Sequence, residues 1–212
     1  MVFDISSSTN PVYVAGRDVR GSADGVGSVD INSLALSSNG QYLFVGKSGN
    51  STACSQSVSG NGAQGCELMV FDISSSTNPV YVAGRDISSS VDGTGNATIN
   101  DLVINNDYLF IAKNTNYLTT SCGPTTSNAI NCEILIFNVS SSTNPILSGV
   151  TDASGLNNGT AGAHFRSLKI YGDYLYVGKD GLASVCSQTA GSAVGCELMV
   201  FDISSSTNPV YV

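Results

Sequence analysis

The sequence predicts an all-β chain of β-propeller blades, each of four antiparallel strands: three full blades plus a half blade, part of a larger ring. Three observations carry this reading. MVFDISSSTNPVYV stands at Met1 to Val14, again at Met69 to Val82 and again at Met199 to Val212. A second landmark alternates with it, as LALSSNGQYLFVGK from Leu34, LVINNDYLFIAK from Leu102 and LKIYGDYLYVGK from Leu168. Within both landmarks, apolar and polar residues alternate in short runs between Gly, Asn, Ser and Pro, a period that suits strands and not helices.

The strands of the first full unit follow in order. Strand A is expected near Val29 to Leu36 and strand B at Tyr42 to Lys47. Asn39-Gly40 between them is a two-residue hairpin signal of the type I′ kind. Strand C is expected at Cys66 to Ile73 and strand D at Pro79 to Asp86. SSSTNP separates them, and its Pro stands at a strand start, where a missing N–H does no harm. The Phe of the first landmark recurs at Phe3, Phe71, Phe137 and Phe201, spacings of 68, 66 and 64 residues. Residues 1–27 then form a half blade with its connection, 28–97 a first blade, 98–162 a second and 163–212 a third. Four antiparallel strands per repeat describe a propeller blade. A β-sandwich, or a tandem array of small ones, is the competing architecture.

LMVFDISSSTNPVYVAG at Leu68 to Gly84 resembles the LVIVD repeat, which pairs an apolar strand ending in Asp with an Asn-Pro turn and a second apolar strand. The resemblance implies a β-propeller and a secreted or cell-surface setting. A long insertion between strands B and C sets this chain apart from the shorter repeats of that family. Because three and a half blades do not close a ring, two arrangements are expected. The chain is a segment of a longer array, or chains join so that one supplies the strands another lacks.

Composition excludes several functions. Eight Lys plus Arg against sixteen Asp plus Glu give a net charge of −8, which disfavours nucleic acid or an anionic membrane as partner. No apolar run approaches the roughly eighteen residues of a membrane helix. The six cysteines stand as Cys54 and Cys66, Cys122 and Cys132, Cys186 and Cys196, one pair per full repeat across each B-to-C insertion. The repeat selects these pairs as disulfides, which implies an oxidising compartment and adds on the order of 3 kcal/mol per loop. Zinc is the rival, but four convergent ligands are missing and His164 is the lone histidine. His164 reads as a channel-facing or surface polar residue.

Two charge patterns repeat. Lys47, Lys113 and Lys179 end strand B, and Glu67, Glu133 and Glu197 directly follow the second cysteine of each pair. A Lys–Glu cross-strand pair is expected in every blade, solvated at the blade rim and contributing below about 1 kcal/mol, so that Lys113→Met barely alters stability. A ring of charge that receives a ligand is the functional alternative. In the D-to-A connections, Asp18 precedes Asp24-Gly25, Asp86 precedes Asp92-Gly93 and Asp152 precedes Asn158-Gly159. Such oxygens beside Gly suit tight turns, with calcium loops as the sharper alternative. No other cofactor is implied.

The glycine pairs GVG at Gly25 to Gly27 and GTG at Gly93 to Gly95 precede no helix, so they offer no phosphate cradle. Asn32, Asn100 and Arg166 align on strand A and are the nearest approach to a channel site. The reading is therefore a non-catalytic extracellular or cell-surface scaffold, binding a protein or glycan through its disulfide-pinned loops. Its alternative is a structural subunit that assembles head-to-tail by strand complementation into a fibre or surface layer.

Overall fold

The computed structural model describes residues 1–16, 19, 30–48, 54, 65–87, 97–114, 122, 132–151, 164–180, 186 and 195–212. Among them there is no helix, hence none long and apolar enough to cross a membrane. A two-stranded antiparallel sheet comes first, β1 (Val2–Asp4) with β2 (Val12–Ala15). Three four-stranded antiparallel sheets follow, each in sequential strand order. Sheet 1 holds β3 (Ile31–Leu36), β4 (Tyr42–Lys47), β5 (Leu68–Asp72) and β6 (Val80–Arg85). Sheet 2 holds β7 (Thr98–Asn105), β8 (Tyr108–Asn114), β9 (Ile134–Asn138) and β10 (Ile146–Thr151). Sheet 3 holds β11 (Phe165–Tyr171), β12 (Tyr174–Lys179), β13 (Leu198–Asp202) and β14 (Val210–Tyr211). These are propeller-like blades, and they do not close into a ring.

Local chemistry ends each strand the same way. After strand C, the first Oδ1 of Asp4, Asp72, Asn138 and Asp202 accepts the N–H two residues on, at 2.8, 2.8, 2.9 and 2.8 Å. This side-chain turn competes with the strand ladder and stops it. A backbone bond such as Asn78 N–H to Ser75 O then reverses the chain before Pro79. The A-to-B turns differ from expectation. In sheet 1 the Gly40 N–H reaches Ser37 O, and of the residues in that turn Gly40 alone has positive φ, at 70°. Asn39 does not, so the turn is not type I′. In sheets 2 and 3 only the first loop residue is left-handed, Asn106 at 52° and Gly172 at 57°.

The sheets are apolar on both faces. Phe44, Leu68, Val70 and Ala83 of sheet 1 share one core with Ile99, Leu102, Leu109, Leu135 and Phe137 of sheet 2. Phe110, Ala112, Ile134 and Ile136, on the opposite face of sheet 2, share the next core with Phe165, Leu175, Met199 and Phe201 of sheet 3. Alternate residues of one strand therefore face opposite neighbours. Gly46 marks a close approach: a Cβ there would lie 2.4 Å from Ile99 Cγ2.

Candidate functional site

Polar groups on the inner strands rivet one sheet to the next. Each A–B ladder carries a β-bulge at the same place, between Ile31 and Ser33, between Ile99 and Asp101, and between Phe165 and Ser167. The extra residues are Asn32, Asn100 and Arg166, and a bulge re-aims the side chain it expels from the ladder. Asn32 Nδ2 donates to Ile99 O of sheet 2 at 2.7 Å, and Asn100 Nδ2 donates to Phe165 O of sheet 3. Asp101 reaches both ways. Its Oδ1 accepts the Ser33 hydroxyl at 2.7 Å and its Oδ2 accepts the Leu168 N–H at 2.7 Å, while Ser33 Oγ accepts the Leu102 N–H at 3.0 Å. Arg166, on the open side of sheet 3, instead forms an exposed bidentate pair with Asp180 at 2.7 and 2.9 Å. The three aligned residues thus fasten sheets or turn to solvent, and they do not converge on a common point.

The roots of the B-to-C connections form a second repeated constellation. Disulfides join Cys54 to Cys66, Cys122 to Cys132 and Cys186 to Cys196. Next to each second cysteine, the Lys47, Lys113 and Lys179 N–H groups bond to Glu67, Glu133 and Glu197 carbonyls at 3.0, 2.9 and 2.9 Å. The Lys and Glu are therefore neighbours across B and C in every blade. Their surroundings overturn the expectation of a solvated rim. Lys47 and Lys113 are each 2% exposed and Glu67 is fully buried, with Glu133 and Lys179 buried as well. Glu197 alone is exposed.

Stacking explains the burial of Lys113, which turns toward the preceding sheet. Lys113 Nζ donates to Ile87 O at 3.0 Å, while the Ile87 N–H donates to Glu67 Oε2 at 2.9 Å. One residue after strand D of sheet 1 is thus held from both sides. Burial lowers the Lys113 ammonium to about 8, against the pull of Glu133, Glu67 and Asp86. Burial also raises the Glu67 carboxyl to about 8, with Asp86 adding to the rise and the Ile87 N–H and Lys47 opposing it. Glu67 Oε1 is buried with no hydrogen-bond partner among the described residues, which is why desolvation dominates. Lys179 is lowered first by burial, with Glu133 and Glu197 opposing.

Of the six residues proposed as calcium ligands, Asp86 alone is described, and it lies in the field of Lys113 and Glu67. Asp18, Asp24, Asp92, Asp152 and Asn158 lie outside the described residues, as do both glycine pairs. Among the described residues no group of three His, Cys, Asp or Glu could hold a metal ion. His164 is half-buried beside Asn114 of sheet 2, and its Nδ1 has no hydrogen-bond partner among the described residues. The bulged rivets and the buried Lys–Glu roots were missed as such by sequence reasoning. The signal available for them was the strict recurrence of Asn32 with Asn100 and of each Lys with its Glu.

Stacked four-stranded sheets, bulge rivets and disulfide-pinned loop roots define a propeller-like repeat protein. The family model for the LVIVD repeat matches residues 95–120 and 162–185 of the chain. Both matches fall on the A–B strands, β7–β8 and β11–β12, whereas the resemblance at Leu68 to Gly84 rests on strands C and D. No curated protein matches the chain. That match together with three disulfides fits an extracellular repeat protein.

Two outcomes follow from the buried pairs. Lys113→Met leaves Ile87 O without its donor and Glu133 with Lys179 alone as countercharge, so it costs about 3 kcal/mol or more by urea unfolding. A loss below 1 kcal/mol, on the scale of a surface pair, contradicts the burial. Glu67 binds a proton more tightly folded than unfolded. Its stabilisation is complete below the unfolded value and is lost as pH rises toward about 8. Relative to Glu67→Gln, wild type therefore loses on the order of 1.4 kcal/mol per pH unit across that window, and parallel stability curves contradict it.

Proposed function

We propose that this protein is a non-catalytic extracellular or cell-surface scaffold whose B-to-C loops bind a protein or glycan. The observation that carries the reading is the treatment of the loop roots. Every B-to-C connection is closed by a disulfide and starts beside a Lys–Glu neighbour pair, buried throughout except at Glu197. A Ser-, Gly- and Ala-rich loop has little apolar anchorage of its own, so covalent closure reduces the conformational entropy that binding would otherwise cost. The inner-strand amides support a structural role over chemistry, since Asn32 and Asn100 spend their donors on neighbouring sheets. The oxidising setting that disulfides require supports a scaffold outside the cytosol.

A second reading is a structural subunit that assembles head-to-tail. Exposed apolar residues on the outward faces of the stack favour it, Leu34 and Leu36 on sheet 1 and Leu198 on sheet 3.

The loop reading is tested by passing the oxidised chain over immobilised cell-surface glycans and matrix proteins, then repeating after reduction and alkylation. Saturable binding that disappears on reduction, with the strand circular dichroism unchanged, is the expected result. Binding indifferent to reduction, or none at all, removes the loops as the binding surface.

A further inference from the structure

We infer that Asn138 carries an N-linked glycan, held at the end of sheet 2 opposite the disulfide-pinned loops. The inference rests on the extracellular setting proposed above, in which such glycans are added and kept.

Asn138 is a repeat position that has changed. Strand C ends in Phe-Asp-Ile-Ser at Phe3, Phe71 and Phe201, and in Phe-Asn-Val-Ser at Phe137. All four copies hold a serine two residues past the acid or amide, at Ser6, Ser74, Ser140 and Ser204. The third alone joins that hydroxyl to an amide, which makes Asn138-Val139-Ser140 an acceptor triplet of the Asn-x-Ser/Thr kind. Further triplets begin at Asn50, Asn96 and Asn158, all outside the described residues.

The turn prepares the amide for this chemistry. Asn138 Oδ1 accepts the Ser140 N–H at 2.9 Å and the Ser140 hydroxyl at 2.7 Å. Both donors fall on the carbonyl oxygen, so the carboxamide is fixed with its oxygen toward the turn and its nitrogen away from it. Nδ2 has no acceptor among the described residues. The buried side-chain atoms without a partner are Glu67 Oε1 and His164 Nδ1, so Asn138 Nδ2 meets solvent. Other amides of the chain are spent: Asn32 and Asn100 donate Nδ2 to neighbouring sheets, and Asn39 donates to Gln41 Oε1. Asp4, Asp72 and Asp202 close the same turn with the same N–H bond, so the turn itself does not require an amide.

The surroundings leave room for a sugar. Asn138 is flanked in register by Tyr108 of β8, half-buried, and by Ile146 of β10, 58% exposed. Directly opposed residues share a face, so the first sugar meets exposed apolar surface that its C–H face covers. Ser140, Ser141 and Thr143 in the following turn are exposed. That turn is held in place by Asn144 N–H to Ser141 O at 2.9 Å and by Arg85 Nε of sheet 1, which donates to Pro145 O at 2.8 Å. Strand C carries the chain about 14 Å from Ile134, close to the Cys122–Cys132 disulfide, to Asn138. A glycan there leaves the B-to-C loops uncovered.

The donor is an oligosaccharide joined through its anomeric carbon to a lipid diphosphate. The bond from that carbon to the diphosphate oxygen breaks and its electron pair leaves with the diphosphate. The bond from the carbon to Nδ2 forms, and the amide gives up one proton to the transferase. No oxidation or reduction is involved.

The test exports the full chain, behind a cleavable signal sequence, from cells whose secretory pathway adds N-linked glycans. A glycoamidase in heavy-oxygen water then converts each occupied asparagine to a mass-marked aspartate, located by peptide fragmentation. The mark should appear at Asn138 in most exported chains. It should be lost completely in Ser140→Ala and persist in Ser140→Thr. Asn138→Asp, which restores the residue of the other three copies, should export with its disulfides closed and unfold at the temperature of the deglycosylated chain.

An exported, disulfide-closed chain with Asn138 unmarked overturns the inference and leaves the extracellular reading standing. A mark that survives Ser140→Ala reports spontaneous deamidation and overturns the assignment. A chain retained in the cell with open cysteines but marked at Asn138 supports the site and contradicts the extracellular reading, whereas a retained and unmarked chain overturns both.

Discussion

A four-stranded sheet with two apolar faces has no stable life alone, and this constraint governs the molecule. Phe44 and Leu43, adjacent on one strand, must be covered from opposite sides, and only neighbouring sheets can do so. The repeat is the solution, because each unit offers one face to its predecessor and the other to its successor. Bulges at Asn32 and Asn100 and the two-way acceptor Asp101 then set the spacing between inner strands. Gly46 lets sheet 1 approach Ile99 and Leu102 of sheet 2 closely.

Stacking also changes the meaning of charge. A lysine that ends a strand at a sheet rim would be solvated, and surface pairs contribute little. Here the same lysine turns into the groove between two sheets, where each ionised group needs its neighbours. Lys113 is held by Ile87 O and feels Glu133, Glu67 and Asp86. The disulfides bind the chain at the point where it delivers each glutamate, so loop closure and buried charge belong to one local design. Glu197, with no described sheet beyond it, is exposed, which makes the successor's role visible by contrast.

Much of the fold was legible in the sequence because its turns are written in chemistry that acts locally. Strand B of the first unit lies at Tyr42 to Lys47, as its flanking Asn-Gly and Lys suggest. Asp-x-Ser, or Asn-x-Ser at Asn138, followed by Asn-Pro marks the change from C to D in every copy. What stayed hidden depends on neighbours distant in sequence. LFVGK and LMVFD are apolar without a clean alternation, since both faces are buried, so the partner of each residue could not be assigned. Burial of Lys47 and Lys113 is invisible to any rule that reads charge as surface. The turn at Ser37 to Gly40 follows from the Ser37 hydroxyl, which bonds both Asn39 and the Tyr42 N–H, a detail that a two-residue hairpin signal does not contain.

The central claim is that inner-strand side chains, and not apolar cover alone, lock each sheet to the next. Native-state hydrogen exchange at the Leu102 and Leu168 amides tests it most directly, since Ser33 and Asp101 of the preceding sheets accept from them, Leu102 sharing its N–H with Asp101 Oδ1 of its own strand. The account predicts that both amides exchange only through global unfolding, while the Leu34 amide, on the open face of sheet 1, exchanges faster. Exchange of Leu102 and Leu168 at the rate of Leu34 would contradict it.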